Sequence, residues 1–585
     1  MAKFYKKSQV VLFFIIVIAS LLRIWGIDKV PVSLFGDELD VGYHAYSILK
    51  TGKDYSGNSW PLHFQSLAEW RTPLYLYSAV PTVAIFGITP IGVRLPAAIF
   101  GILGVWGIYM FVTELLSYGV ARGRVVENGR WGVAIVASFF LAISPWHIQY
   151  SRAAFEVTML LAFLIWGLYF FFESFRNGKW LWLSVALLLF TPWIYSTAKL
   201  FTPLLFGFLV LVWRKGILAL PRKELFKSII AGLIVGAPIA YSIIFGGGSQ
   251  RFGYISVFSD PTRETEIGYN RQFDADVKGG VPVGLSPSFV DKFFHNKLTF
   301  WGEKITNNYI RAFSADFLFV EGDPNPRHSI TGIGQFYKVE FFTLVLGVIL
   351  FFRSRIERKI KLLIGYWLII GVLPAAVTRD GGNHATRLIL ILPPLVFLIS
   401  YGFVEAVKRA KNIYRQFFLL SYLLFIISGF VFYQHNYWVH NPWDSERWWH
   451  YGWKEAVQSI KEVESSYQKI VISTTGEPSW IFFAASYQYP PNLWHKDFPI
   501  GNDVELSGFG KVSHIDKFYF GSPQIDGSFY DWGKVLTPDT LYLANAKEIN
   551  INLVKEPERI PSDLKLVKAI SYPSGEPAFY LVTKF

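Results

Sequence analysis

The chain has 585 residues, of which 52% are hydrophobic, 18% aromatic and 17% charged. A soluble protein would carry about a quarter charged residues, so this composition excludes a soluble protein over most of the chain. The chain has no cysteine, which excludes disulfides, thiol nucleophiles and cysteine-ligated metals. The net charge is +13, and many of the basic residues lie in short loops between apolar runs. This distribution is typical of a protein in a lipid bilayer and argues against a nucleic-acid partner.

Recurrent apolar runs predict about eleven transmembrane helices, because about 20 apolar residues cross a bilayer. The predicted spans are residues 10–27, 92–116, 131–143, 153–175, 180–191, 197–213, 228–245, 337–352, 362–377, 388–407 and 417–433. The first is interpreted as an uncleaved helix with a cytoplasmic N-terminus. The stretch 73–88 is apolar but short and contains prolines, so it is predicted to be an interfacial or re-entrant helix on the outer surface.

The distribution of basic residues favours this arrangement. If residues 73–88 do not span the membrane, every strongly basic short loop lies on the cytoplasmic side, together with the basic N-terminus. The positive-inside bias favours this arrangement. The first loop (28–91), a long loop (246–336) and the tail are then extracytoplasmic. We therefore expect a transmembrane domain at 1–435, which includes both loops, and a small extracytoplasmic α/β domain at 436–585. In this domain the patterns predict a helix at 451–467 and strands at 469–473, 540–545 and 578–583.

The predicted outer connections hold many ionisable residues beside apolar spans, where charge is costly and often marks function. The candidates are Asp37, Glu38, His44, Glu69, Arg71, Arg152, Glu156, Tyr195, Lys199, His384 and Arg387. Adjacent carboxylates can supply a general base or bind a divalent cation, and Arg and Lys suit a phosphate at headgroup depth. This mix predicts transfer from a lipid-linked phosphate donor. The alternative is that the acids start a helix and the basic residues anchor helix ends among headgroups.

Several short motifs occur in a characteristic order over residues 1–433. They are Asp37-Glu38, Pro73-Leu74-Tyr75, Val93-Arg94-Leu95-Pro96, Ser144-Pro145 with Tyr150-Ser151-Arg152, Tyr195 with Lys199, Glu321-Gly322-Asp323 with Arg327-His328, and His384-Ala385-Thr386-Arg387. This order resembles that of the polyprenyl-phosphate-sugar-dependent membrane glycosyltransferases. That group includes the protein O-mannosyltransferases and the lipid A aminoarabinose transferases.

The resemblance implies an all-α polytopic fold of the GT-C type in the plasma membrane. It implies an inverting hexosyl- or pentosyltransferase that uses a polyprenyl-phosphate sugar on the outer face, with a protein, lipid or glycan as acceptor. It also implies that Asp37 is the general base, that Glu38 orients the site, and that Arg152, Lys199 and Arg387 bind the donor phosphate.

Two alternatives stay open at this point. The sequence has no clear second acidic motif that would complete a metal site, so no metal ligand is predicted, although some relatives with this fold use a divalent cation at a first-loop acidic motif. A transporter or flippase of lipid-linked sugars could use the same basic residues without a base. Such proteins usually have related halves, and this sequence shows no internal repeat.

Overall fold

The structure is a computed structural model that describes residues 2–67, 69–120, 127–245, 250–277, 288–497, 504–525 and 528–585. The α-helices of these residues are α1 (Ala2–Ile24), α2 (Gly36–Thr51), α3 (Pro73–Phe86), α4 (Pro90–Val120), α5 (Glu127–Ile143), α6 (Pro145–Ser151), α7 (Val157–Ser174), α8 (Leu181–Phe190), α9 (Ala198–Leu218), α10 (Arg222–Phe245), α11 (Gln250–Ile255), α12 (Arg263–Val277), α13 (Phe289–Phe294), α14 (Lys297–Arg311), α15 (Glu340–Arg353), α16 (Arg358–Ala376), α17 (Ala385–Leu388), α18 (Leu392–Arg409), α19 (Asn412–His435), α20 (Asn441–Asp444), α21 (Trp453–Val463), α22 (Ser479–Tyr487) and α23 (Pro491–Asp497). The strands are β1 (Phe64–Ser66), β2 (Glu69–Arg71), β3 (Lys469–Ile472), β4 (Val504–Leu506), β5 (Gly510–Ile515), β6 (Phe518–Phe520), β7 (Thr540–Asn545), β8 (Leu564–Ser571) and β9 (Pro577–Lys584).

Seven helical stretches within the described residues are long and apolar enough to cross a membrane, and an eighth is added if α5 and α6, bent by 58°, form one span. The seven stretches are Pro90–Tyr118, Val157–Ser174, Ala198–Leu218, Arg222–Phe245, Arg358–Ala376, Ala385–Arg409 and Asn412–Asp444. The chain is therefore an integral membrane protein. The predicted total of eleven spans stays a prediction, because α8 has 10 residues and α15 has 14. The predicted surface segment forms α3, whose 14 residues are too few to cross a bilayer.

The chain divides into two compact units, which are described separately. The first unit comprises residues 1–22, 100–150 and 156–433. In it, α15 and α18 cross at two glycines: a Cβ on Gly347 would lie 1.9 Å from the carbonyl oxygen of Leu398, and one on Gly402 would lie 2.0 Å from that of Thr343. Small residues allow membrane helices to approach this closely. The short helix α15 is therefore an integral part of the helix packing.

The second unit comprises residues 23–99, 151–155 and 434–585, and so joins the first predicted outer loop to the tail. Its main sheet has the strand order β4-β5-β6-β3-β7-β9-β8. Only the β6–β3 and β3–β7 pairs are parallel. The strands predicted in the tail are confirmed as β3, β7 and β9, and the predicted helix is confirmed as α21. The domain boundary after residue 435 stays a prediction.

Helix α2 packs against α22 and α23 of the tail. The ring of Phe482 lies 3.6 Å from the position that a Cβ on Gly36 would take. The Tyr43 hydroxyl donates to the carbonyl oxygen of Tyr489 at 3.0 Å, and His495 Nε2 lies 2.7 Å from the carbonyl oxygen of Asp54. The helix that carries Asp37 and Glu38 is therefore held by the C-terminal part of its own unit.

Candidate functional site

The adjacent acids Asp37 and Glu38 lie in the first turn of α2 and have opposite surroundings. The Asp37 side chain is exposed, and its carboxylate has no hydrogen bond or ion pair with the residues that the structure describes. Glu38 is fully buried. Its two carboxylate oxygens each accept a 2.8 Å hydrogen bond from Arg94, and Oε1 also accepts the backbone N–H of Ala154 at 2.8 Å. Of the pair, only Asp37 is accessible to a substrate.

Arg94 is the buried partner of Glu38. Its Nη1 also donates to the carbonyl oxygens of Ile27 at 3.1 Å and Pro31 at 2.8 Å. In the sequence, Arg94 belongs to the Val93-Arg94-Leu95-Pro96 motif and has no predicted role of its own. Its position near the start of an apolar helix could have indicated a buried acidic partner, because an unpaired arginine is costly there.

Arg71 and Asp40 form a second buried ion pair, which also contacts the backbone of Asp37. Arg71 Nη1 donates to the backbone carbonyl oxygen of Asp37 at 3.2 Å and to Asp40 Oδ2 at 2.9 Å. Asp40 also accepts the Tyr55 hydroxyl at 2.7 Å and the Ser66 hydroxyl. Burial raises the pKa of the Asp40 carboxyl above its usual value, although the Arg71 charge and both hydroxyls act in the opposite direction. Arg71 thus connects the backbone at Asp37 to this network.

His44 is fully buried in the same network. Its ring stacks on Tyr55, with centroids 3.8 Å apart, and its Nε2 lies 3.6 Å from Asp40 Oδ1. Burial lowers the pKa of this imidazole from 6.5 to about 3, so the ring is neutral at neutral pH. The side chain of Glu69, another candidate, lies outside the residues whose side chains the structure describes.

Arg152, predicted to bind phosphate, is 1% exposed and lies in the second unit. Its Nε donates to the Tyr437 hydroxyl at 2.8 Å, and Nη1 donates to the carbonyl oxygen of Trp25 at 2.7 Å. Its Nη2 donates to the carbonyl oxygens of Gly26 at 3.0 Å and Val30 at 2.9 Å. These contacts fix the chain segment that precedes α2. A role of Arg152 in donor binding stays a prediction.

In the first unit, three candidates that are far apart in sequence line one cavity of about 260 Å³. The lining residues are Tyr195, Ser196, Thr197, Lys199, Leu200, Ile243, Phe252, Ile255, Pro374, Val377, Thr378 and Arg387. Lys199 is the second residue of α9, and Arg387 lies in α17, where its Nη1 donates to the Thr378 hydroxyl at 2.8 Å. The cavity therefore combines two cations with walls that are mainly apolar.

His384, another candidate of the first unit, precedes α17 and lies near Asp323 and His328. One ligand atom from each of these three residues lies within 4.8 Å of the others, an arrangement compatible with a divalent cation. Burial acts to raise the pKa of Asp323, but the hydrogen bond and charge of His328, the Asn325 N–H and the charge of His384 together hold the pKa below its usual value. Asp323 and His328 belong to sequence motifs of the long loop but have no role predicted from the sequence. Glu156 is the buried residue that precedes α7.

No family model matches the sequence, and no curated protein sequence matches it. Among solved structures, an oligosaccharyltransferase of Archaeoglobus fulgidus in complex with Zn and sulfate is 14% identical, with a TM-score of 0.47 and coverage of 81% of this chain and 61% of that chain. AglB from the same organism, in complex with an inhibitory peptide and a dolichol-phosphate, is 14% identical, with a TM-score of 0.46 and coverage of 82% and 64%. This chain thus spans less than two thirds of the archaeal proteins. ArnT from Cupriavidus metallidurans, bound to undecaprenyl phosphate, is 11% identical, with a TM-score of 0.45 and coverage of 99% of this chain and 97% of that chain. The solved structures to which this chain is similar thus include an ArnT and an archaeal oligosaccharyltransferase.

Proposed function

We propose that this protein is an inverting glycosyltransferase that moves a sugar from a polyprenyl-phosphate donor to an acceptor on the extracytoplasmic face of the plasma membrane. The observation that carries the proposal is the cavity of the first unit, in which Lys199 and Arg387 occur among apolar walls. The acceptor is a protein, lipid or glycan, and the sugar is a hexose or a pentose. The N-terminus is cytoplasmic and the tail extracytoplasmic, as the distribution of basic residues favours.

The chemistry of the cavity fits a phosphate that carries a long hydrocarbon chain. Side chains such as Leu200, Ile243 and Phe252 offer apolar surface for isoprenoid units, and the hydrophobic effect favours their contact. Lys199 and Arg387 supply the positive charge that a phosphate needs. Tyr195 supplies an aromatic face against which a sugar ring can pack. A cation in a weakly polar cavity stabilises charge that develops on a leaving group more strongly than water does.

The general base in this proposal is Asp37. Its carboxylate is exposed and has no partner among the described residues, whereas Glu38 is fully occupied by Arg94 and the Ala154 N–H. A nucleophilic hydroxyl or amine of the acceptor attacks the anomeric carbon and loses its proton to Asp37. The bond from the anomeric carbon to the phosphate oxygen breaks, and polyprenyl phosphate leaves with the electron pair. Displacement from the opposite face inverts the anomeric configuration.

The remaining candidates take supporting roles. Glu38 and Arg71 position the first turn of α2, through Arg94 and through the backbone carbonyl of Asp37 respectively. Substrate binding by His44, Glu69, Arg71, Arg152, Glu156 and His384 stays a prediction.

The test is transfer by the purified full-length protein in lipid nanodiscs, with a panel of radiolabelled polyprenyl-phosphate hexoses and pentoses and a mixture of acceptors. Consumption of one donor, with release of polyprenyl phosphate, is the expected result. Asp37→Asn should lower the rate by about 10²–10⁴-fold, the usual contribution of a general base. Asp28→Asn removes another exposed carboxylate of the same loop and should retain the rate.

Two results would contradict the proposal. Full activity of a folded Asp37→Asn variant would remove the base assignment. The transporter alternative would be indicated if proteoliposomes move intact donor across their bilayer and no donor is consumed with any acceptor.

A further inference from the structure

A cluster of two imidazoles and one carboxylate lies in the first unit outside the cavity lining. His328 Nδ1 is 3.1 Å from Asp323 Oδ2, and His384 Nδ1 is 3.9 Å from the same oxygen. The two imidazole rings stack with centroids 4.9 Å apart. Two ring nitrogens therefore converge on one carboxylate oxygen, and the three side chains are 4%, 13% and 23% exposed, so the cluster is shielded but can be reached from solvent.

The carboxylate of this cluster is fixed by backbone groups. Asp323 Oδ2 accepts the N–H of Ala385 at 2.7 Å, and Oδ1 accepts the N–H of Asn325 at 2.9 Å. Hydrogen bonds of this kind orient a carboxylate ligand, and their loss weakens metal binding in known sites. The Ala385 contact also connects the loop that holds Asp323 to the start of α17, directly after His384.

The loop between Gly322 and Gln335 is itself tightly built. Gly322 has a φ of +77°, and a Cβ there would lie 2.5 Å from Ser329 Oγ, so glycine is required at this position. The Ser329 hydroxyl accepts the N–H of Asp323 at 3.0 Å and the side-chain amide of Gln335 at 2.7 Å. The backbone that presents Asp323 and His328 is thereby fixed before any ligand binds.

We propose that Asp323, His328 and His384 bind a divalent transition-metal ion of the zinc class. Zinc binds imidazole nitrogen and carboxylate oxygen at about 2.0–2.2 Å, so two ligand atoms of a tetrahedral site lie about 3.3 Å apart. The distances from Asp323 Oδ2 to His328 Nδ1 (3.1 Å) and to His384 Nδ1 (3.9 Å) lie on either side of this value. Two nitrogen ligands favour zinc over magnesium or calcium, which prefer oxygen ligands throughout.

Three protein ligands leave one tetrahedral position open, as in zinc sites that bind an exogenous group. An oxygen of the donor phosphate is suited to that position, because Arg387 of the cavity lies one helical turn after His384. This last assignment rests on the proposed function, whereas metal binding by the three residues does not.

The test is zinc binding by the purified full-length protein in detergent, after removal of metal with a chelator and in competition with a chromophoric zinc indicator. The wild type should bind one zinc ion that excess magnesium does not displace. Asp323→Asn and His384→Gln should each weaken this binding by about 100-fold or more, since even the loss of a hydrogen bond to a ligand weakens metal binding by about 10–100-fold. Cobalt(II) should give the intense visible absorption of a tetrahedral site in the wild type and lose it in both variants.

The matched control removes another histidine pair. His435 and His440 are exposed, and their Nε2 atoms lie 3.2 Å apart. The double variant His435→Gln/His440→Gln should retain the tight zinc ion. His384→Gln is the decisive variant if Asp323→Asn does not fold, because His384 is the most exposed of the three side chains.

The inference is overturned if the wild type binds zinc no more tightly than His384→Gln, or if the control double variant abolishes binding. Undecaprenyl phosphate should shift the cobalt spectrum if phosphate takes the open position, and an unchanged spectrum would overturn that assignment. A protein that binds zinc as expected but transfers no sugar would contradict the proposed function and leave the metal site intact.

Discussion

Arg94 and Glu38 form a two-pronged ion pair in which both side chains are fully buried. The arginine also donates to carbonyl oxygens of residues 27 and 31, and the glutamate accepts the N–H of residue 154. The pair therefore connects α4, α2, the segment before α2 and residues 151–155. The helix that carries Asp37 is thus positioned by Glu38, its neighbour in sequence, while the Asp37 side chain is exposed.

The first prediction concerns this pair. Glu38→Gln removes one charge and leaves the Arg94 guanidinium buried without its counter-ion, so it should lower the free energy of unfolding by about 3–5 kcal/mol. The measurement is the thermal unfolding midpoint in detergent, followed by tryptophan fluorescence. Asp37→Asn changes an exposed side chain and should leave the midpoint within the error of the wild type. Equal midpoints for Glu38→Gln and wild type would show that the pair does not hold this part of the fold.

A second prediction distinguishes two roles for Arg152. The planar guanidinium donates to the Tyr437 hydroxyl and to the backbone carbonyls of Trp25, Gly26 and Val30, and a lysine ammonium cannot reproduce this arrangement. Arg152→Lys should therefore lower the unfolding midpoint clearly, while its affinity for undecaprenyl phosphate changes little in the folded fraction. Tyr437→Phe removes the hydroxyl that accepts from Arg152 Nε at 2.8 Å and donates to the carbonyl oxygen of Val30 at 3.3 Å, so it should cost about 1–3 kcal/mol. A stable Arg152→Lys variant with weakened lipid binding would instead support the phosphate-binding role that the sequence predicts.

The sequence predicts more of the fold than of the site. Hydrophobic period and length locate the membrane helices, and β-branched runs locate β3, β7 and β9, because these features act locally. Contacts such as Arg94 with Glu38, or His384 with Asp323, join segments that are far apart in sequence and have no common period. The cost of a charge in an apolar helix could have identified Arg94, but it does not name the partner. Residue type alone does not distinguish the adjacent acids Asp37 and Glu38. The resemblance implies different roles for them, and the structure adds that Asp37 is exposed and Glu38 fully buried.

A third prediction concerns the cavity. Arg387→Gln and Lys199→Gln each remove a positive charge from a largely apolar enclosure, so each should weaken binding of undecaprenyl phosphate by about 10–100-fold, as for the loss of a hydrogen bond to a charged group. Binding can be followed by native mass spectrometry of the purified protein. Arg379→Gln is the control, since it removes a nearby but exposed cation that does not line the cavity. Equal affinities for Arg387→Gln and Arg379→Gln would exclude the cavity as the phosphate site.

The last prediction is a dependence of stability on pH that originates at His44. Burial lowers the pKa of this imidazole from 6.5 to about 3, so the unfolded chain binds a proton between these values while the folded protein does not. Stability should therefore fall as the pH decreases from 6.5 towards 3, by about 2 kcal/mol at pH 5 from this group alone. The nearby Asp40 acts in the opposite direction, because its raised pKa makes the folded state bind a proton more readily.

Comparison of variants separates His44 from Asp40. His44→Phe keeps a planar ring to stack on Tyr55 but cannot bind a proton, so its unfolding midpoint should fall less between pH 7 and pH 5 than that of the wild type. His440→Phe, which removes an exposed imidazole, should show the wild-type slope. If His44→Phe and wild type lose the same stability over this range, His44 is not kept neutral by burial. A steeper loss in His44→Phe would indicate that a protonated His44 stabilises the folded state through Asp40, 3.6 Å away.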